Sequence, residues 1–211
     1  MSASTTSSQD DASANTGSSM SRHGITIRWA ERLDEEEALQ LIELMNAVIE
    51  RDPTIGFSSR IDRESGLELM ADVDQDIAKG NSHLLLVSAP DRRLLGMGLM
   101  RQSKLPHCRH LAEVQIGFIH PSVRGGGILE AMFSELIRKC QALEADLLMI
   151  DVQEGTRSER LWRTLGFLPY GRLEDYARVG QRTHAGIYMY QYVADLARRL
   201  ELDVEGGPGM R

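Results

Sequence analysis

The sequence predicts a single α/β domain around a mixed, mostly antiparallel sheet of about seven strands. Three features of the chain point there. Segments whose apolar residues recur at every second position alternate with segments in which they recur every three to four. Three strand segments follow one another across short polar connections, which makes them antiparallel neighbours. One of them runs through a cluster of glycines into a strongly periodic helix.

The elements follow in order. Ile25, Ile27 and Trp29 alternate with polar residues, as in a half-buried strand. Ala38, Leu41, Ile42, Met45, Val48 and Ile49 then keep helical spacing, and the acidic residues 34–37 suit the positive end of that helix. A second helix over residues 62–79 carries Leu67, Met70, Val73 and Ile77 on one side and stops at Gly80-Asn81. Strands over 82–89 and 94–101 flank the turn Pro90-Asp91, and a third over 110–120 follows a polar loop with Pro106. The next helix opens at Gly127 and aligns Leu129, Met132, Phe133, Leu136, Ile137 and Cys140. A buried strand over 146–152 and a helix over 156–165 come next. Gly166-Phe167 turns into a sixth strand, and Ile187, Met189, Tyr190 and Tyr192 mark a seventh.

Residues 1–22 are rich in Ser, Thr, Ala, Asn, Asp and Gly, without apolar periodicity, and read as a disordered tail. They lack the basic start and apolar stretch of a signal peptide. Residues 205–211 read as a flexible C-terminus, which leaves 23–204 as one domain. A net charge of −7 argues against a nucleic-acid partner. Clean apolar runs such as Leu84-Leu85-Leu86-Val87 fall far short of the roughly 20 residues needed to span a membrane. Cys108 and Cys140 are too few for a disulfide scaffold and lack metal-ligand spacing, so the expectation is a cytoplasmic protein with free thiols and no metal.

The most informative stretch is the strand-to-helix turn His120-Pro121-Ser122-Val123-Arg124-Gly125-Gly126-Gly127-Ile128-Leu129. Glycines let successive backbone N–H groups point into one concavity at a helix start, where a pyrophosphate is the natural occupant. A Walker loop would need Gly-Lys-Ser/Thr after the turn, and a dinucleotide fingerprint would need GxGxxG in a parallel unit; neither fits.

This turn resembles the coenzyme A signature Q/R-x-x-G-x-G/A of the GNAT superfamily of N-acetyltransferases. Arg124 and Gly127 match it, Ile128 takes its free position, and Leu129 stands where the family has Gly or Ala. The resemblance runs from about residue 25 to 193. Leu161-Trp162-Arg163-Thr164-Leu165-Gly166-Phe167 stands where the family shows LYxKxGF, with Trp162 in place of its tyrosine. Ile55-Gly56-Phe57, the stretch His110-Leu111-Ala112-Glu113-Val114, Asp151 and Asp175-Tyr176-Ala177 look most like the tabtoxin-resistance type, which acetylates a small amine-bearing toxin. The resemblance implies a GNAT-like sheet with helices on both faces. It implies acetyl-CoA as co-substrate, and a small-molecule amine as partner, with a homodimer left open. It also implies a strand that splays at Gly117, so that N–H groups near Phe118 and Ile119 bind the pantetheine arm and polarise the thioester. Gly125, Gly126 and Gly127 then cradle the pyrophosphate with Arg124, Ile128 and Leu129.

Acyl transfer to an amine needs a base, an oxyanion donor and a departing thiolate. Ala112, Val114, Ile116 and Phe118 alternate, which sets Glu113 and Gln115 on the opposite face; Glu113 is the first candidate base, with a structural salt bridge as the alternative. Asp151 ends a buried strand, so its charge needs a partner, either a substrate ammonium or a nearby Arg. Tyr170 and Tyr176 line an acceptor pocket or complete the core. Trp162 can donate a hydrogen bond but not a proton, so the family's acid has no direct equivalent there. That substitution and Leu129 also admit a catalytically degenerate acyl-CoA-binding sensor or interaction protein.

Overall fold

The computed structural model describes residues 19–20, 24–51, 59–125 and 127–201. Its strands are β1 (Ser19–Met20), β2 (Thr26–Ala30), β3 (Ser82–Ser88), β4 (Leu94–Gln102), β5 (Leu111–Ile119), β6 (Leu147–Gln153), β7 (Leu168–Val179) and β8 (Arg182–Tyr192). Its helices are α1 (Glu35–Ile49), α2 (Arg63–Ala78), α3 (Ile128–Ala142), α4 (Arg157–Thr164) and α5 (Val193–Arg199). The strands form one sheet in the order β1-β2-β3-β4-β5-β6-β8-β7, antiparallel everywhere except between β5 and β6.

Helices cover both faces. On one, Leu41, Met45 and Val48 of α1 and Met70 of α2 bury against Leu84, Leu86, Met97 and Leu99. Gly66 brings the two helices together, since a Cβ there would lie 2.7 Å from the Ile42 side chain. On the other face, Phe133, Leu136, Ile137 and Cys140 of α3 and Leu196 of α5 bury against Met100, Ala112, Leu148, Ile150 and Met189. Cys140 is a packing residue: burial pushes its thiol up to about 12, and its Sγ lies 3.7 Å from the Met100 Sδ.

Two segments depart from the sequence pattern. Ser19 and Met20 pair with Ile27 and Thr26, so the sheet begins inside the stretch whose composition reads as tail. α5, directly after β8, has only seven residues, too short for periodicity to reveal it. Ile55, Gly56 and Phe57 lie outside the described residues.

β5 positions the site. Leu99 pairs with Ile116 and Met100 with Val114, which leaves Gln115 as the extra residue of a bulge. The chain therefore changes face there. Ala112 and Val114 pack on the α3 side, whereas Ile116 and Phe118 pack under α1 and α2. A single apolar face over residues 112–118 is thus corrected. Because helices bury both faces of this sheet, apolar residues are needed on each, and an alternating sequence hides the switch. The irregularity expected at Gly117 falls two residues earlier, and Gly117 itself stays in register with Gly98. Pairing between β5 and β6 covers only residues 111–113 with 147–149, while β5 continues along β4 to Ile119 and β6 continues along β8 to Gln153. Beyond Glu113 the two strands part.

Candidate functional site

The glycine turn presents open, left-handed backbone at the start of α3. Arg124 leaves the short turn Pro121–Val123 in extended conformation, and Gly125 (φ 84°) and Gly127 (φ 77°) take left-handed backbone that side chains disfavour. The N-termini of α1, α2 and α4 are capped by the side chains of Asp34, Asp62 and Thr156. α3 begins at Gly127 without a side-chain cap, so its first N–H groups remain available to a ligand. Gly126 lies outside the described residues.

From this turn a cavity of about 380 Å³ runs between α3, α4 and the parting strands. Arg124, Gly125, Gly127, Ile128 and Leu129 line its mouth, and Gly117, Phe118 and Ile119 line one wall. Arg157, at the start of α4, joins them. Among the described residues neither Arg124 nor Arg157 has a salt-bridge partner; the Arg124 Nε donates only a long 3.4 Å bond to the Ile119 carbonyl. Glu130 also lines the cavity, and its charge offsets part of theirs. Deeper walls are apolar, from Val114, Met132, Phe133, Leu136 and Leu161, and the cavity reaches Val48 of α1 beyond the sheet. Leu129 serves both, lining the cavity and packing against the α3 core.

Trp162 is held by aromatic neighbours. Its ring meets Phe133 edge-on at 5.6 Å and Phe167 at 4.8 Å while it also lines the cavity. α4 is fixed beneath it by Glu159, whose carboxylate accepts the Gly155 N–H at 2.7 Å and holds Arg163 at 2.8 Å.

The carboxylates stand on the opposite side of the sheet. Leu148, Ile150 and Val152 point into the α3 core, which turns Met149 and Asp151 the other way. Glu113, in register with Met149, shares that side. Asp151 accepts a hydrogen bond from the Tyr176 hydroxyl, so its protein partner is a tyrosine and not an arginine. Burial and then that bond raise the Tyr176 hydroxyl above the usual tyrosine range. Its ring lies over Gly186, where a Cβ would come within 2.2 Å of it. All five tyrosines of the chain gather here: Tyr170 beside Tyr188 and Tyr190, Tyr176 against Tyr188, and Tyr192 against Tyr190. Partial burial and the charges of Glu113 and Asp151 raise Tyr170 as well, although over half of its surface is open. Glu113 has no salt bridge among the described residues; the Gln115 amide, at 3.5 Å, is its hydrogen-bond donor. The salt-bridge alternative for Glu113 is therefore not what the side chain does.

No family model matches the chain. Solved structures do. A ribosomal-protein-alanine N-acetyltransferase from Brucella melitensis superposes with a TM-score of 0.63 at 20% identity, over 79% of this chain and 98% of that one. An acetyltransferase of the GNAT family from Streptococcus pneumoniae gives 0.62 at 17%, over 80% and 98%. This chain has the GNAT fold. yncA of Salmonella typhimurium, solved with its cofactor acetyl-CoA, has the same GNAT fold at a TM-score of 0.62 and 17% identity, over 81% and 94%.

Within this GNAT fold the sequence-derived coenzyme residues come together at one cavity, apart from Gly126. Glu113, Asp151, Tyr170 and Tyr176 come together on the far side of the sheet, and Trp162 stays with the cavity. Sequence reasoning missed Arg157, whose place at the cleft follows from α4 lying beside α3 and not from any motif. It also missed Tyr188 altogether, and Tyr190 it assigned only to a strand.

Proposed function

We propose that this chain is an acetyl-CoA-dependent N-acetyltransferase that acts on the primary amine of a small molecule. The observation that carries the reading is one cavity that begins at the uncapped start of α3 and ends where β5 and β6 part, with unneutralised carboxylates beyond the parting. The residues present fit the coenzyme. The N–H groups of Gly127, Ile128 and Leu129 and the guanidiniums of Arg124 and Arg157 would hold the pyrophosphate. The open backbone of β5 from Val114 to Ile119 would bind the pantetheine amides and offer an N–H to the developing oxyanion. Bound acetyl-CoA supplies an activated acyl carbon and a thiolate leaving group.

On the other side, Glu113 and Asp151 attract the ammonium form of the acceptor, and one of them takes its proton directly or through water. The tyrosines shape the acceptor pocket, and Tyr176 orients Asp151 through its hydroxyl. The sequence resemblance to the tabtoxin-resistance type supports a small amine-bearing acceptor; a toxin or antibiotic is one such class. The test is release of free thiol from acetyl-CoA against a panel of primary amines. Turnover with at least one amine is expected. Coenzyme binding with no turnover against any amine would make the chain an acyl-CoA-binding protein instead.

A further inference from the structure

We propose that the cleft accepts acyl-CoA thioesters whose aliphatic chain is longer than acetyl, in a trough that crosses the sheet beneath α3. The proposal rests on the coenzyme reading above and specifies the donor.

Trp29, Leu85, Gly98 and Gly117 are successive cross-strand partners on β2, β3, β4 and β5, and all four line the cavity. They form one row perpendicular to the strands. Two adjacent glycines in such a row leave bare backbone roughly 10 Å wide, given a spacing of about 4.8 Å between strands. The two positions differ in how far they are filled. A Cβ on Gly117 would meet nothing within 4 Å, whereas one on Gly98 would make ordinary contacts with the Met132 Cε at 3.6 Å and the Leu85 Cβ at 3.8 Å. The trough is thus open beside the parting of β5 and β6 and lower at Gly98. Leu85 and Trp29 close its far end.

Its roof is adaptable. Met132 is unbranched and flexible, so it can swing aside at little cost when a chain enters. The remaining walls, Met100, Phe133 and Leu136, are apolar. An acetyl group places a single methyl at the parting and leaves the trough unused. A longer unbranched chain can turn under α3 along Gly117 and Gly98 and bury its methylenes there, away from water. At the usual gain for a buried methylene, affinity rises roughly 4-fold with each one until Leu85 and Trp29 are reached.

Calorimetric titration of the full chain with CoA, acetyl-CoA, butyryl-CoA and hexanoyl-CoA tests this. The expected result is binding of all four, with affinity rising from acetyl to hexanoyl by roughly 4-fold per methylene. In Gly98→Val, whose branches enter the trough, the hexanoyl-to-acetyl ratio should collapse towards one. Gly98→Ala, whose Cβ meets only ordinary contacts, should shrink the ratio partway and serves if the valine variant fails to fold by circular dichroism. A series that is flat or falls with chain length, or a ratio unchanged in the folded Gly98 variants, overturns the proposal while CoA binding leaves the coenzyme reading standing. Absence of heat with CoA itself overturns both.

Discussion

Replacement of Trp162 by Tyr and by Phe separates what this side chain does for the fold from what its position can do for chemistry. The indole is wedged edge-on between Phe133 at 5.6 Å and Phe167 at 4.8 Å. Either smaller ring leaves part of that space empty, at a cost of about 1 to 3 kcal/mol. For a domain of this size each kcal/mol lowers Tm by roughly 2 to 4 °C, so both variants should melt about 2 to 12 °C lower. Their packing losses are nearly equal. They differ by a hydroxyl at the cleft wall, which in the tyrosine variant can protonate the departing thiolate. If departure limits turnover, Trp162→Tyr should exceed Trp162→Phe in kcat by up to roughly 10², with equal affinity for acetyl-CoA. Thiol release under saturating acetyl-CoA, with the amine that turns over fastest, measures the ratio, and thermal melts measure the packing. Equal kcat in the two folded variants would refute the acid argument. An unchanged Tm in both would refute the wedge.

At the mouth, Arg124→Ala and Arg157→Ala should each weaken CoA binding about 10-fold, and the loss should shrink at high salt because both groups are exposed; unchanged affinity in calorimetry would return either residue to the solvated surface. Glu113→Gln and Asp151→Asn should lower kcat more than they raise KM, with partial rescue at higher pH for whichever residue is the base; a flat comparison of pH–rate profiles with the unaltered chain would exclude that residue. Tyr176 ionises later folded than unfolded, so its contribution to stability is complete below pH about 10 and is lost as pH rises beyond that. Absorbance titration of the phenolates should show a late component that disappears in Tyr176→Phe, and its persistence would contradict the Asp151–Tyr176 pairing. Burial, and secondarily Lys139, lowers His83 to about 4. The unfolded state therefore binds the extra proton first, and stability should fall as pH drops from about 6.5 towards 4. His83→Gln should flatten Tm against pH across that window, and an identical slope would place the acid sensitivity elsewhere.

Elements and the glycine turn were legible from the amino-acid order because they depend on neighbours. The 3.6-residue recurrence in α1 and α3, the period of two in β2, and Arg124 to Leu129 at a strand-to-helix junction all express local backbone geometry. Local order also set Glu113 on the face opposite Ala112 and Val114, but for an incomplete reason. The bulge at Gln115 lets one alternating apolar set serve both faces of the sheet, and nothing in residues 111–119 alone records it. Asp151 and Tyr176 are 25 positions apart and meet because β7 folds back over β8 at Gly186. Arg157 reaches the mouth only once α4 lies beside α3. Trp29, Leu85, Gly98 and Gly117 form a row only through three strand registers, each set by packing across the whole sheet. Periodicity assigns a side chain to a face of its own element; which distant side chains share that face is decided by register and crossover, and these are properties of the assembled sheet.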